Sequence, residues 1–204
     1  ASAFRINLMA QDSGVPGRDM VTNKRWGIAP SLAFGLDGNT RIYLNLLHVD
    51  QDNVPDGGVP TLGLPGYSSP DAARPWIADA PKVDRSNFYG TTSDNDEVTA
   101  DMATLIVEHG FSDTLKLSNT TRWGRTDQNY LLTAWRATSA NLKTPNPNDI
   151  STWTVTRDIP TFKDQRNTIL TNQTNLRAHV SAGGIEHDIS AGLELAREEL
   201  DATG

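Results

Sequence analysis

The chain has 204 residues, 37% of them hydrophobic, no cysteine, and a formal net charge of −7. This excludes a disulfide scaffold, thiol chemistry and Cys-ligated zinc, and it disfavours a nucleic-acid partner, which selects a basic surface. No stretch approaches the roughly 18 apolar residues of a membrane helix, but a barrel strand needs only about 9–11 residues with alternate ones apolar.

Such alternation begins at once. Residues 1–6 read as strand and lack the basic start and apolar stretch of a signal peptide. Over 3–12, Phe4, Ile6 and Leu8 share one face, with Arg5, Asn7, Met9 and Gln11 opposite. Over 23–35, Trp26, Ile28, Leu32 and Phe34 oppose Arg25, Gly27, Ala29, Ser31 and Ala33. Over 40–52, Ile42, Leu44, Leu46 and His48 oppose Arg41, Tyr43, Asn45 and Leu47. The pattern is least clean over 95–110, where Ala100, Met102 and Ile106 oppose Asp101, Leu105 and Val107. Over 114–128, Leu115, Leu117 and Trp123 oppose Lys116, Ser118, Thr120 and Arg122. Over 164–182, Leu170, Leu176, Ala178 and Val180 oppose Gln173, Asn175, Arg177 and His179. Over 187–198, Ile189, Ala191, Leu193 and Leu195 oppose Ser190, Glu194 and Glu198.

These seven amphipathic strands predict an all-β antiparallel fold, as a barrel wall or as a β-sandwich. The connections favour the barrel. Short turns at 36–39, 111–114 and 183–186 alternate with longer connections expected at 13–22, 53–94 and 129–163. Outer-membrane barrels sort their loops by end in this way, and a soluble sandwich has no reason to. The 22 threonines and 15 asparagines suit a wetted lumen better than a dry core. Aromatics near strand ends (Phe4, Trp26, Phe34, Phe111, Trp123) fit interfacial girdles.

No catalytic constellation emerges. Residues 50–61 resemble a calcium loop, but Val54 and Thr61 stand where the fifth and twelfth ligands belong. Asp94-Asn95-Asp96-Glu97 could hold a hard cation but reads better as solvated surface, and the four histidines are dispersed. Neither a metal site nor a cofactor is expected. Thirteen of the 18 basic residues are arginine. Arg18, Arg74, Arg85, Arg125, Arg136, Arg157 and Arg166 lie in or beside the longer connections, among Tyr67, Trp76, Phe88, Tyr89, Tyr130, Trp135, Trp153 and Phe162. Arginine with exposed rings suits an anionic aromatic ligand. Ordinary loop packing, with rings inward and arginines outward, is the competing reading.

At these residues the chain resembles the TonB-dependent receptors of the outer membrane, in particular those for catecholate-type ferric siderophores. The resemblance is carried by residues 8–19, by Asn23-Lys24-Arg25-Trp26-Gly27 and by Val83-Asp84-Arg85-Ser86-Asn87-Phe88-Tyr89-Gly90. Thr121-Arg122-Trp123-Gly124-Arg125 adds to it, and Gln51-Asp52-Asn53-Val54-Pro55-Asp56 is the most specific element. It covers essentially the whole chain. It implies a barrel of about 22 strands around an N-terminal plug, and import of ferric siderophore energised through TonB. On this reading residues 1–204 are part of the barrel domain, without the plug that would contact TonB. They form an open curved sheet in lipid, and iron enters only within a bound siderophore. The residues expected at the ligand are Arg18, Arg74, Trp76, Arg85, Tyr89 and Arg157. The alternative is a soluble secreted β-sandwich that binds carbohydrate.

Overall fold

The structure, a computed structural model, describes every residue except Arg136, Asp158 and Gly204, and for Ile159 the backbone alone. Seven long strands form one sheet: β1 (Ser2–Val15), β2 (Arg18–Phe34), β3 (Thr40–Asn53), β4 (Asn95–Gly110), β5 (Leu115–Ala134), β8 (Ile159–Ala182) and β9 (Ile185–Thr203). The order is β1-β2-β3-β4-β5-β8-β9, every neighbour antiparallel. Two-residue strands β6 (Leu142–Lys143) and β7 (Thr154–Val155) pair within the connection before β8. This up-and-down order puts connections 54–94 and 135–158 at one end and the turns after β2, β4 and β8 at the other.

Paired residues share a face, so the register carries one face across all seven strands. Phe4, Leu32, Leu44, Leu105, Thr121, Asn172 and Leu195 form one row of it. The face is apolar, and among the described residues no second sheet covers it. Leu8 is 73% exposed and Leu193 64%. A sandwich would bury these side chains, whereas a bilayer takes them up, so the soluble alternative fails on this observation. Among the described residues no helix is long and apolar enough to cross a membrane. No ladder joins β1 to β9 among the described residues, and the sheet is open as expected.

Apolar residues centre on Ile6 in β1 but on Leu193 in β9. Leu193 belongs to the row that reaches Ser2 rather than Ile6. The band therefore slides along the strands as it crosses the sheet, which is the signature of tilted barrel strands. Trp26 and Trp123 lie at its loop end, Phe34 and Phe111 at its turn end.

Two expectations are corrected. The connection at 13–22 is a two-residue turn, Pro16-Gly17, with Gly17 at φ 69°. Gly14 pairs with Thr22 but Val15 with Arg18, so residues 19–21 arch out of the ladder with Met20 at φ 61°. Several strands also outrun their sequence bounds: β5 reaches Ala134, β8 starts at Ile159 and β9 ends at Thr203. At 24 residues β8 far exceeds the 9–11 or so that span a bilayer. The surplus stands above the apolar band, where each face mixes polar and apolar residues and alternation disappears.

Candidate ligand-binding mouth

The two long connections fold onto each other. Leu62, Ile77 and Leu142 form a small core, with Ile77 fully buried. Tyr67, Trp76 and Trp153 pack around it, and the two indoles meet edge-on at 5.4 Å. Burial pushes the Tyr67 hydroxyl up. Arg74 stitches the connections together. Its Nε donates to Asp71 at 2.6 Å, Nη1 to the Leu142 carbonyl at 2.7 Å and to Thr144 Oγ1 at 3.1 Å, and Nη2 to the Ser139 carbonyl at 2.6 Å. The Arg74 guanidinium holds the Asp71 carboxyl below the usual carboxylate range.

A second cluster surrounds segment 84–89. Arg18 grips Asp56 with two donors, Nε at 2.8 Å and Nη2 at 2.7 Å, and its Nη1 donates to the Arg85 carbonyl. The Arg18 side chain is only 10% exposed. Its hydrogen bonds hold the Asp56 carboxyl below the usual range despite partial burial. The Asp19 amide donates to the Ser86 carbonyl at 2.7 Å, which docks the segment on the arch of β2. The Tyr89 hydroxyl donates to the Asp84 carbonyl at 2.9 Å, and Arg157 Nε donates to the Tyr89 carbonyl at 3.2 Å. The side chains of Arg85 and Arg157 are exposed. Asp94 corrects the reading of 94–97 as solvated surface: it is 5% exposed and closes the connection, accepting the Thr133 amide at 3.1 Å and Thr91 Oγ1 at 2.7 Å. Burial raises its carboxyl, but these donors outweigh burial and leave it below the usual range.

The six expected ligand residues thus fall into two groups. Arg18, Arg85, Tyr89 and Arg157 meet around 84–89. Arg74 and Trp76 belong to the loop core. Arg18 and Arg74 spend their donors inside the loops, while Arg85 and Arg157 present theirs outward. Arg136 lies outside the described residues. Arg125 and Arg166 both pair with Asp127 at 2.6 Å, on the apolar side of the sheet above its band. His48 Nδ1 meets Asp101 at 2.7 Å beneath Trp26, and no group of three or more metal-ligating side chains occurs among the described residues.

Sequence reasoning overlooked the polar face. One ladder row there carries Gln11, Arg25, Gln51, Gln128 and Gln165. Asp96 accepts from Gln51 at 3.0 Å and from Gln128 at 3.1 Å, and Gln128 accepts from Gln165 at 3.2 Å. Lower on this face, Arg5 and Arg122 share the row of Ser31, Asn45 and Thr104.

An open wall of tilted strands, apolar outside, polar inside and crowned by interlocked loops, defines an outer-membrane β-barrel receptor. No family model matches the chain. It is 49% identical over 197 residues to the catecholate siderophore receptor Fiu of Escherichia coli K12, across 97% of this chain and 26% of that protein. It is 32% identical to the probable TonB-dependent receptor BfrD of Bordetella pertussis, across 96% of this chain and 24% of that one. The crystal structure of the ferric-catecholate import receptor Fiu in its closed form superposes with a TM-score of 0.90 at 48% identity, covering 98% of this chain and 28% of that one. The siderophore receptor PiuA of Acinetobacter baumannii, at 21% identity, shares the fold with a TM-score of 0.74. The chain belongs to the TonB-dependent receptors of the outer membrane, in the family of the catecholate siderophore receptors. It spans about a quarter of the length of the curated relatives it matches.

Proposed function

We propose that the chain forms part of the barrel wall and mouth of a receptor that imports ferric siderophores of the catecholate type. The import is driven through TonB, which acts on a plug outside this segment. The observation that carries the reading is the cluster at 84–89. Arg85 and Arg157 are exposed there beside Tyr89, on a segment fixed by Arg18 and by the arch of β2. Anchored backbone carrying exposed guanidinium groups suits a large anion bearing flat rings, because little backbone freedom remains to be lost on binding. Iron is cargo within the siderophore. Arg18 and Arg74 act as braces, and Trp76 supports the loop core.

The test is equilibrium binding of a ferric tris-catecholate to the full-length receptor carrying this segment. Arg85→Ala and Arg157→Ala are each expected to weaken binding by about tenfold, the worth of one charge-assisted hydrogen bond. Unchanged affinity in both variants would remove the arginine mouth and leave the barrel assignment intact.

A further inference from the structure

Residues 18–22 of β2 clamp both ends of the first long connection. From its start, Asp56 takes two donors of Arg18, Gly58 accepts from Arg18 Nη2 at 3.5 Å, and the Val54 amide donates to the Thr22 carbonyl at 3.1 Å. From its end, the Arg85 carbonyl accepts Arg18 Nη1 and the Ser86 carbonyl accepts the Asp19 amide at 2.7 Å. Two successive carbonyls are thus held from the arch, those of Arg85 and of its neighbour. On the other side of Arg85, Asp84 Oδ1 accepts the Ser86 amide at 2.8 Å and the Ser86 hydroxyl at 2.7 Å, which closes a local turn. The backbone of Arg85 is fixed from both sides while its side chain stays exposed.

Within the arch, Met20 contributes conformation. Gly14 and Val15 are adjacent, so their partners Thr22 and Arg18 stand one ladder step apart, about 3.4 Å. Four extended residue steps would span about 13 Å. The chain has to double back between them, and the positive φ of 61° at Met20 is where it does so. The Met20 side chain is 60% exposed, whereas Val21 beside it is 5% exposed. Glycine and asparagine enter this left-handed region readily, residues with a larger Cβ substituent at a cost, and β-branched residues least of all. The hydrogen bonds of Arg18 and Asp19 offset that cost, so the turn persists only while segment 84–89 is docked.

We propose that the arch is a positioning device for ligand capture, with Met20 as its positioning residue. The left-handed turn at residue 20 aims the Asp19 amide at Ser86 and so holds Arg85 where a ferric tris-catecholate meets it. This rests on the catecholate reading above. An arginine carried on a strand-borne arch has less freedom to lose on binding than one on a loop tip. At residue 20 the backbone preference decides and the side-chain chemistry does not, the reverse of what holds for a residue that touches ligand.

The experiment measures equilibrium binding of a ferric tris-catecholate to the full-length receptor carrying Met20→Gly, Met20→Asn or Met20→Val, each alone and combined with Arg85→Ala. Valine is apolar like methionine but resists a positive φ; glycine and asparagine differ from methionine in chemistry but accept it. The expected result is affinity within about twofold of the parent for Met20→Gly and Met20→Asn, and about fivefold weaker for Met20→Val. Beside Arg85→Ala, Met20→Val should weaken binding no further, because its effect passes through that guanidinium. Amide exchange at residue 19 reads the docking without ligand; Met20→Val should speed it, while the other two changes leave it protected. Parent-like affinity or parent-like protection in Met20→Val overturns the positioning role. Equal weakening by all three changes would mean that the methionine side chain itself meets the ligand. An undiminished effect of Met20→Val beside Arg85→Ala would mean that the arch serves the fold alone. Either result sinks the proposal. If Arg85→Ala by itself leaves affinity unchanged, the mouth reading fails and the arch's role falls with it, an outcome distinct from the failure of Met20→Val alone.

Discussion

Arg74 shows what a single side chain does for this molecule. It closes a loop pair by donating to carbonyls 65 and 68 residues away. Arg74→Ala removes the bonds to Asp71, Thr144 and both carbonyls, and should loosen the loop cluster by about 1 kcal/mol, the worth of the partly buried bond to the Leu142 carbonyl. Faster amide exchange at 139–144 would check this, and unaltered exchange would contradict it. Asp56, Asp71 and Asp94 add a pH dependence. Their carboxyls sit below the ordinary value of about 3.9 in the folded loops. Their stabilisation is therefore complete above that value and is lost as pH falls through the lower, folded values. Trp153 fluorescence should stay constant from neutral pH to about pH 4 and change below it. A transition centred near neutrality would argue against these aspartates. None of this was legible in the sequence, where Arg74 and Ser139 are only distant letters. Alternation did place Arg5, Arg25, Arg41, Arg122 and Arg177 on the polar faces, but the search for a ligand looked to the loops. Arg25 and Arg122 bond Gln11 and Thr104 on neighbouring strands, partners that appear only once strands are paired.

The elements were legible wherever one face met lipid and the other water. All seven strands lie where period-two alternation puts them. Their ends were not legible, because above the apolar band apolar residues fall on both faces, as in Leu131-Leu132, and no contrast remains. Residues 129–134 of β5 and 159–163 of β8 are examples. The β5–β8 pair also breaks the apolar band with Asn119, Thr121, Asn172 and Thr174. The two asparagine amides donate to each other's oxygens at 3.1 Å and each to a threonine at 2.7 Å; the threonine hydroxyls return bonds at 3.2 and 3.5 Å. Every side-chain donor of the quartet is used within it, so lipid meets no unsatisfied hydrogen. Asn119→Leu alone leaves one Asn172 amide hydrogen and the Thr121 hydroxyl without their acceptor and should destabilise the barrel by about 1–3 kcal/mol, whereas replacing all four by Leu and Val should be nearly neutral. Thermal unfolding of the full-length receptor in detergent separates these outcomes. Equal losses in the single and fourfold variants would refute the closed quartet.

At the scale of the whole molecule, the sheet sorts two solvents. Its outer face carries leucines that nothing covers among the described residues, and its inner face carries amides and arginines. Leu44→Arg places a charge in the outer band and should cost about 2–4 kcal/mol in a bilayer, while Asn45→Arg, one residue on and inward, should cost little. Similar penalties at the two positions would mean that the faces are misassigned.

The loop core has a consequence for how such a protein can change over generations. Leu62 and Ile77 come from one connection and Leu142 from the other, so their side chains fit each other rather than the strands beneath. Arg74 bridges the same two connections but binds mainly main-chain carbonyls, which any amino acid supplies. Drift at Ser139 leaves the bridge unaffected, whereas drift in bulk at Leu142 demands an answering change at Leu62 or Ile77. The two connections should therefore be inherited as a matched pair, and a chimera that exchanges only one of them should lose its ordered crown while the wall still folds.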